Sequence, residues 1–202
     1  MIELADGQQC EGQTFTKCDF YGEQWSARCF TGCTFRGVDL SELSTKGCTF
    51  IDCTFRDVHF NASRHESSAF TGCVFAGCNF FDVEFAGCKL TGTKFQRCAL
   101  RPIRVLGGDW SFVVLAGSDL RGCRFEQVRM REVDLTGANC IDSVLTNVDL
   151  SGAMLHSARF DRADLRGSDL TALDPLVTHI PDALILPEQA IVMAQAIGFN
   201  VC

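Results

Sequence analysis

The sequence predicts an all-β solenoid, a square right-handed coil of about eight 20-residue turns closed by a C-terminal α-helix. Three observations carry this. From Phe15 to Leu170 every fifth residue is apolar at thirty of thirty-two positions, Thr45 and His65 being the exceptions. Two residues before each of these centres stands a small or β-branched residue: nine of the thirteen cysteines occupy this slot, which toward the C-terminus is filled by Ala138, Ala153, Ala158 and Ala163. Neither a period of 3.6 nor one of 2 is present, so neither an amphipathic helix nor a half-buried strand explains the pattern. A period of five fits if each unit forms one side of a square. Large and small residues then alternate around a narrow bore, stacked turns pair as short parallel strands about 4.8 Å apart, and parallel crossovers favour the right hand.

The elements follow in chain order. The start, Met1-Ile2-Glu3-Leu4-Ala5-Asp6, has no basic region and no apolar run, so no secretory signal is expected and the cytoplasm is the expected compartment. Positions twenty apart stack, which gives four ladders: Phe15–Phe35–Phe55–Phe75–Phe95, Phe20–Leu40–Phe60–Phe80–Leu100, Trp25–Thr45–His65–Phe85–Val105, and Phe30–Phe50–Phe70–Leu90–Trp110. In a reducing compartment the slot cysteines read as packed thiols, because their spacing of five is unlike a C-x-x-C metal site. The polar run 61–68 is expected to bulge outward locally around Arg64, His65 and Glu66, either as a contact for a partner or as a coil defect. Pro102 lacks an N–H and should weaken a ladder bond, and Gly107-Gly108 marks a further irregularity.

After Leu170 the period is expected to dissolve, which divides the chain into a repeat region 1–172 and a C-terminal segment 173–202. Pro187 starts a helix that ends near Ile197, before Gly198. One face caps the last coil. The other, with Ile191, Val192, Met193, Ala194, Ile197, Phe199 and Val201, is expected to form a C2 homodimer interface. The alternative is an end cap that buries everything within one chain.

The units Ala163-Asp164-Leu165-Arg166-Gly167 and Ser168-Asp169-Leu170-Thr171-Ala172 resemble the pentapeptide repeat family, and the register holds from about 13 to 172. The resemblance implies a right-handed quadrilateral β-helix. Leu100-Arg101-Pro102, Val114-Leu115-Ala116-Gly117-Ser118-Asp119-Leu120-Arg121-Gly122 and the final helix resemble the topoisomerase-protecting, MfpA/Qnr-like quinolone-resistance branch. That resemblance implies a rod dimer that mimics duplex DNA, binds DNA gyrase or another type II topoisomerase, and protects it from quinolones or another topoisomerase poison. The alternatives are a general protein-interaction scaffold and a self-immunity factor of an antibiotic producer.

Charge qualifies the mimicry. Residues 1–88 carry a net −6, residues 89–131 a net +6, and residues 132–202 a net −7. A duplex about 38 Å long carries roughly 22 negative charges, so uniform imitation is excluded. A local acidic band remains: Glu132, Asp134, Asp142, Asp149, Asp161, Asp164 and Asp169 are the expected topoisomerase contacts. For any one of these the alternative is an aspartate that merely hydrogen-bonds its own turn. The basic band Lys89, Lys94, Arg97, Arg101, Arg104, Arg121, Arg124, Arg129 and Arg131 has no assigned role. The overall −7 argues against direct nucleic-acid binding and against an anionic membrane surface. No phosphate-binding loop or dinucleotide fingerprint occurs, and the four histidines are scattered. The expectation is a binding protein with no catalytic residue, metal or cofactor.

Overall fold

The structure is a computed structural model that describes residues 6–201. The segment Met1–Ala5, read above for a secretory signal, and Cys202 lie outside the described residues. The chain winds as a four-sided parallel β-solenoid. Side 1 is a four-stranded sheet of Gln9–Glu11, Cys29–Thr31, Thr49–Ile51 and Ala69–Thr71. Side 2 is a five-stranded sheet from Thr14–Thr16 to Lys94–Gln96. Side 3 is held by single-residue bridges such as Asp19↔Asp39 and Asp39↔His59. Side 4 is a seven-stranded sheet from Gln24–Ser26 to Val144–Thr146. All pairs are parallel with a register of twenty, Phe35↔Phe55 and Phe55↔Phe75 for example.

In each three-residue strand only the central side chain points inward, and in the four-residue strand Val83–Ala86 both Val83 and Phe85 do. The centres fill the bore. Phe35 and Phe55 stack at 4.8 Å and 8°, Phe50 and Phe70 at 4.6 Å and 4°, and Phe60 and Phe80 at 4.7 Å and 5°. The slot residues do more than fit beside them. Cys48, Cys53, Cys73 and Cys78 each donate Sγ–H to the carbonyl of a centre residue in the preceding coil, at 3.3–3.4 Å. Ser168 donates in the same way to Leu145, and Thr93 to Phe70. A small side chain with one donor thus adds a hydrogen bond to a centre carbonyl inside the bore. The twelve described cysteines are free thiols, and burial pushes those of Cys88 and Cys123 up to about 11.

The corners need residues in the left-handed region, usually two after each centre: Lys17, Gly22, Gly32 and Gly37 take φ of 51–66°. Pro102 falls on such a corner, and its ring fixes φ near −65°. The Arg101–Pro102 peptide is cis, and the side 3 bridges stop at Ala99 and resume at Asp119. This is the weakened ladder expected at Pro102. Gly108 occupies a slot position with φ of 92°, and a Cβ there would lie 2.1 Å from the Cys88 carbonyl oxygen. The coil closes at this point only around a bare backbone.

Two expectations are corrected. The segment 61–68 does not bulge. Arg64–Glu66 is a regular strand paired on both sides, and Ser63, His65 and Ser68 are buried. Polar residues stay inside because they satisfy one another, as described below. Nor does the coil end at 172. Bridges Arg159↔His179 and Asp164↔Leu184 continue it, with Ile180 and Ile185 in the five-residue phase packed on the core. Pro175 interrupts the apolar column and the ladder is locally irregular there, the Ser157 amide donating to the Val177 carbonyl, but the register of twenty is restored at His179.

The helix α1 (Pro187–Ala196) starts at the expected proline and ends at Gly198, whose φ is 93°. Gln189 fastens it to the coil. Its Nε2 donates to Leu165 and Ser168 carbonyls, both at 2.8 Å, while its Oε1 accepts from the Leu186 and Gly167 amides. No helix among the described residues is long and apolar enough to cross a membrane.

Candidate functional site

Three surface or core features compete for a functional role: the acidic residues of the C-terminal coils, the apolar C-terminal end, and a polar cluster inside side 4. The structure does not gather the seven expected acidic contacts on one side. Asp149 and Asp169 lie on side 1, Asp134 on side 2, Asp161 on side 3 and Asp164 on side 4, while Glu132 and Asp142 occupy corners. They encircle the rod because an outward aspartate suits each side. Its Oδ1 accepts the amide two residues on, as Asp134 does from Thr136, Asp149 from Ser151, Asp164 from Arg166 and Asp169 from Thr171.

Four of the seven are also ion-paired. Asp142 meets Arg162 at 2.7 Å, Asp149 meets Arg131 at 2.5 Å, Asp161 meets Arg159 at 3.3 Å, and Asp164 meets Arg166 at 2.7 Å. The guanidiniums of Arg162 and Arg166 hold the Asp142 and Asp164 carboxyls below the usual range. For Asp149, partial burial works the other way, but Ser151 and Arg131 outweigh it and the carboxyl is again lowered. Glu132, Asp134 and Asp169 have no ion pair among the described residues. Sequence spacing carried the composition of the band, but not the pairing, which runs across coils or to the residue two along.

The basic band is neutralised in the same manner. Arg101 and Arg121 share Asp119, Arg104 meets Glu84, Arg124 meets Glu126, Arg129 meets Asp109 and Arg131 meets Asp149. Lys89, Lys94 and Arg97 have no such partner among the described residues.

The apolar end is less neutral. Of the seven residues expected at a dimer interface, Ile191, Ile197, Phe199 and Val201 are exposed, Phe199 by 64%. Val192, Met193 and Ala194 are half-buried, and Met193 packs on the chain's own core. So α1 caps the coil with one face and leaves another open. Leu184 on side 4 is exposed as well, as are Leu176 and Val177 toward the 2–3 corner and Met154 on side 2 of the preceding coil. Sequence reasoning missed these last three; Leu176 follows the Asp174-Pro175 turn, and that turn was the available signal.

Inside side 4, Thr45 and His65 stand on the centre column, and Ser63 and Ser68 in the slot. His65 Nδ1 lies 2.8 Å from Thr45 Oγ1, Thr45 Oγ1 lies 3.0 Å from Ser68 Oγ, and Ser63 Oγ lies 3.0 Å from His65 Nε2. Ser68 accepts the Cys48 amide and donates to the Glu66 carbonyl. The network assigns the proton direction: His65 Nδ1–H donates to Thr45, Thr45 to Ser68, and Ser63 to His65 Nε2. The imidazole stacks on Phe85 at 4.9 Å, and burial, with Arg64 adding to it, pushes its pKa down to about 3. A neutral, fully engaged histidine is a core residue and offers no free base.

The class this geometry defines is a four-sided parallel β-solenoid with a helical C-terminal cap. Within that class the fold is the pentapeptide-repeat β-helix. A family model described as a pentapeptide repeat region matches residues 78–153. A trypsin-treated variant form of QnrB1, a plasmid-mediated fluoroquinolone resistance protein, matches with a TM-score of 0.73 at 21% identity, covering 96% of this chain and 98% of that chain. Full-length QnrB1 matches with a TM-score of 0.63 at 20% identity, covering 95% and 100%. Likeness at this identity establishes the fold. No curated protein matches the sequence.

Proposed function

We propose that this protein is a cytoplasmic, homodimeric, DNA-mimicking protein that binds DNA gyrase or another type II topoisomerase. It protects the enzyme from quinolones or another topoisomerase poison. The observation that carries this reading is the end-to-end likeness to QnrB1, coil and C-terminal cap together, over 96% of the chain. The exposed apolar face of α1 supports the dimer, because such a patch on a monomer is a cost that a second copy removes.

Mimicry then rests on shape more than on charge density. Neutralisation by Arg131, Arg159, Arg162 and Arg166 leaves Glu132, Asp134 and Asp169, with Asp174, Asp182 and Glu188 nearer the end, as the acids of the C-terminal coils and helix that have no ion pair among the described residues. A dimer joined at α1 places two such sets around its centre, where a basic DNA-binding surface would meet them. The molecular act is binding, with no catalytic residue, metal or cofactor. The ion-paired band favours one alternative, a repeat scaffold for some other protein partner. Self-immunity of an antibiotic producer would use the same molecular act against a different drug.

The test is a gyrase supercoiling assay with and without a fluoroquinolone, titrating this protein. Rescue of supercoiling in the presence of drug is the expected result. Inhibition without rescue would keep the mimic and remove the protection. No effect on topoisomerases from several sources would leave the scaffold. Substituting Asp134 and Asp169 with asparagine, and Glu132 with glutamine, should weaken the effect more than substituting the ion-paired Asp142 and Asp164.

A further inference from the structure

We propose that side 2 of the N-terminal coils is a second interaction surface, a cationic strip that binds an extended acidic segment of a partner protein. The chain has eighteen lysines and arginines. Among the described residues, twelve of these are ion-paired. The other six are Lys17, Arg36, Arg56, Lys89, Lys94 and Arg97, and only Lys89 lies elsewhere than on side 2 or its corner with side 3. Arginines on the other sides recruit an acid from the next coil or from two residues along. On side 2 the acids are withheld. Asp52 and Asp57, at the two bounding corners, set their carboxylates against Gly72 and Gly77 of the next coil.

The strip also breaks a pairing rule. Arg36 and Arg56 are direct register partners, with like charges side by side on adjacent parallel strands about 4.8 Å apart. Nothing in the fold requires this, since the equivalent positions in neighbouring coils are Thr16 and Ala76. Beside them the outward column Thr14, Thr34 and Thr54 presents hydroxyls in the same register. A charge conflict without internal compensation marks a surface whose compensation comes from outside.

Shape selects the kind of anion. A side offers only two outward columns, so the strip is narrow. From Lys17 to Arg97 it runs four coil steps, about 19 Å. An extended peptide of about six residues spans that length, with alternate carboxylates facing the guanidinium forks and hydroxyls. A duplex is broader than the side, and the chain's net −7 opposes so dense a polyanion. The strip lies on the N-terminal coils, away from the end of the rod that carries α1.

The experiment uses the full chain and a fluorescein-labelled octaglutamate peptide, read by anisotropy at low and at physiological salt. Binding is expected at low salt, weakening as salt rises. Arg36→Glu with Arg56→Glu should weaken it by about tenfold or more. Arg101→Glu with Arg121→Glu makes the same charge change on side 3 and should weaken it far less. Circular dichroism would confirm that both variants fold. The proposal is overturned if the peptide does not bind, if both variants lose binding equally, or if a 20-nucleotide DNA strand binds wild type more tightly than the peptide.

Discussion

At the scale of the residue, this fold forces a choice on each side chain: a centre or slot position is interior whatever its chemistry. His65 shows the consequence. It stacks on Phe85 where its column otherwise carries Trp25 or Phe125, and it stays neutral with a pKa pushed down to about 3. An unfolded histidine titrates near 6.5. The unfolded chain therefore takes up a proton that the native state refuses. The stability tied to neutral His65 is complete above about pH 6.5 and is lost as pH falls toward 3, by up to about 1.4 kcal/mol per pH unit. Urea unfolding of wild type and His65→Phe at pH 7 and pH 5 should show the variant gaining about 2 kcal/mol relative to wild type on acidification. An unchanged difference would mean that the imidazole is protonated or solvated. Gly108 is the opposite case, a position that tolerates no side chain. In Gly108→Ala the new methyl would meet Cys88 backbone on three atoms, and nothing flexible can give way. Its cost should exceed about 3 kcal/mol. Gly107→Ala, with open space but a φ of 63°, should cost about 1 kcal/mol. Denaturant midpoints of the two variants would separate steric conflict from backbone strain.

At the scale of the element, the coil was legible because a bore this narrow leaves one solution for its filling: large centres every five residues and small partners between. Phe15 to Phe95 on side 2 stand where that spacing puts them. Polarity was a poorer guide. It put Arg64, His65 and Glu66 outside the ladder, because hydropathy cannot register that Thr45, Ser63 and Ser68 satisfy the imidazole from three directions. It also closed the coil at Leu170, because Pro175 broke the apolar column, while cross-coil pairing resumes in register beyond it at His179 and Leu184. The docking of α1 on the last coil was expected, but the residue that fastens it was missed for the same reason. Its start and end were readable from Pro187 and Gly198, but the residue that attaches it is Gln189, a polar side chain buried to 7% exposure. Gln189→Leu keeps the volume and removes four hydrogen bonds, which takes their Gln189 partner from the Ser168 carbonyl and the Gly167 and Leu186 amides and leaves the Leu165 carbonyl with the Ser168 amide alone. The expected cost is about 2–3 kcal/mol, expressed as local opening. Hydrogen exchange should quicken in 187–196 while amides of the strand Thr54–Arg56 stay protected. Equal protection in both proteins would show that packing by Met193 alone holds the helix.

At the scale of the whole molecule, the rod has a hydrophobic C-terminal end, and along its C-terminal half most surface arginines are paired with an acid of the same chain. Ion pairing explains why net charge gave so little of the candidate site. Aspartate is drawn outward by its own turn and arginine is drawn to aspartate, so the segment sums describe composition and not the field that a partner meets. The apolar end has no such internal answer. Leu184, Ile191, Ile197, Phe199 and Val201 are each more than 40% exposed, and all lie at or beyond the last coil. Joining two rods there by a two-fold axis would bury every one of them twice, which is the economy of an isologous interface. The same symmetry makes the interface sensitive to charge: Ile191→Asp with Phe199→Asp adds four carboxylates to one small contact and leaves the coil untouched. Sedimentation equilibrium should give wild type at twice the chain mass and the double variant at the chain mass, with matching circular dichroism. A wild type that is monomeric at high micromolar concentration would remove the dimer and, with it, the pairing of acidic sets on which DNA mimicry depends. A double variant that still dimerises would move the interface to the exposed Met154, Leu176 and Val177, and the two rods would then meet side by side near their ends instead of end to end.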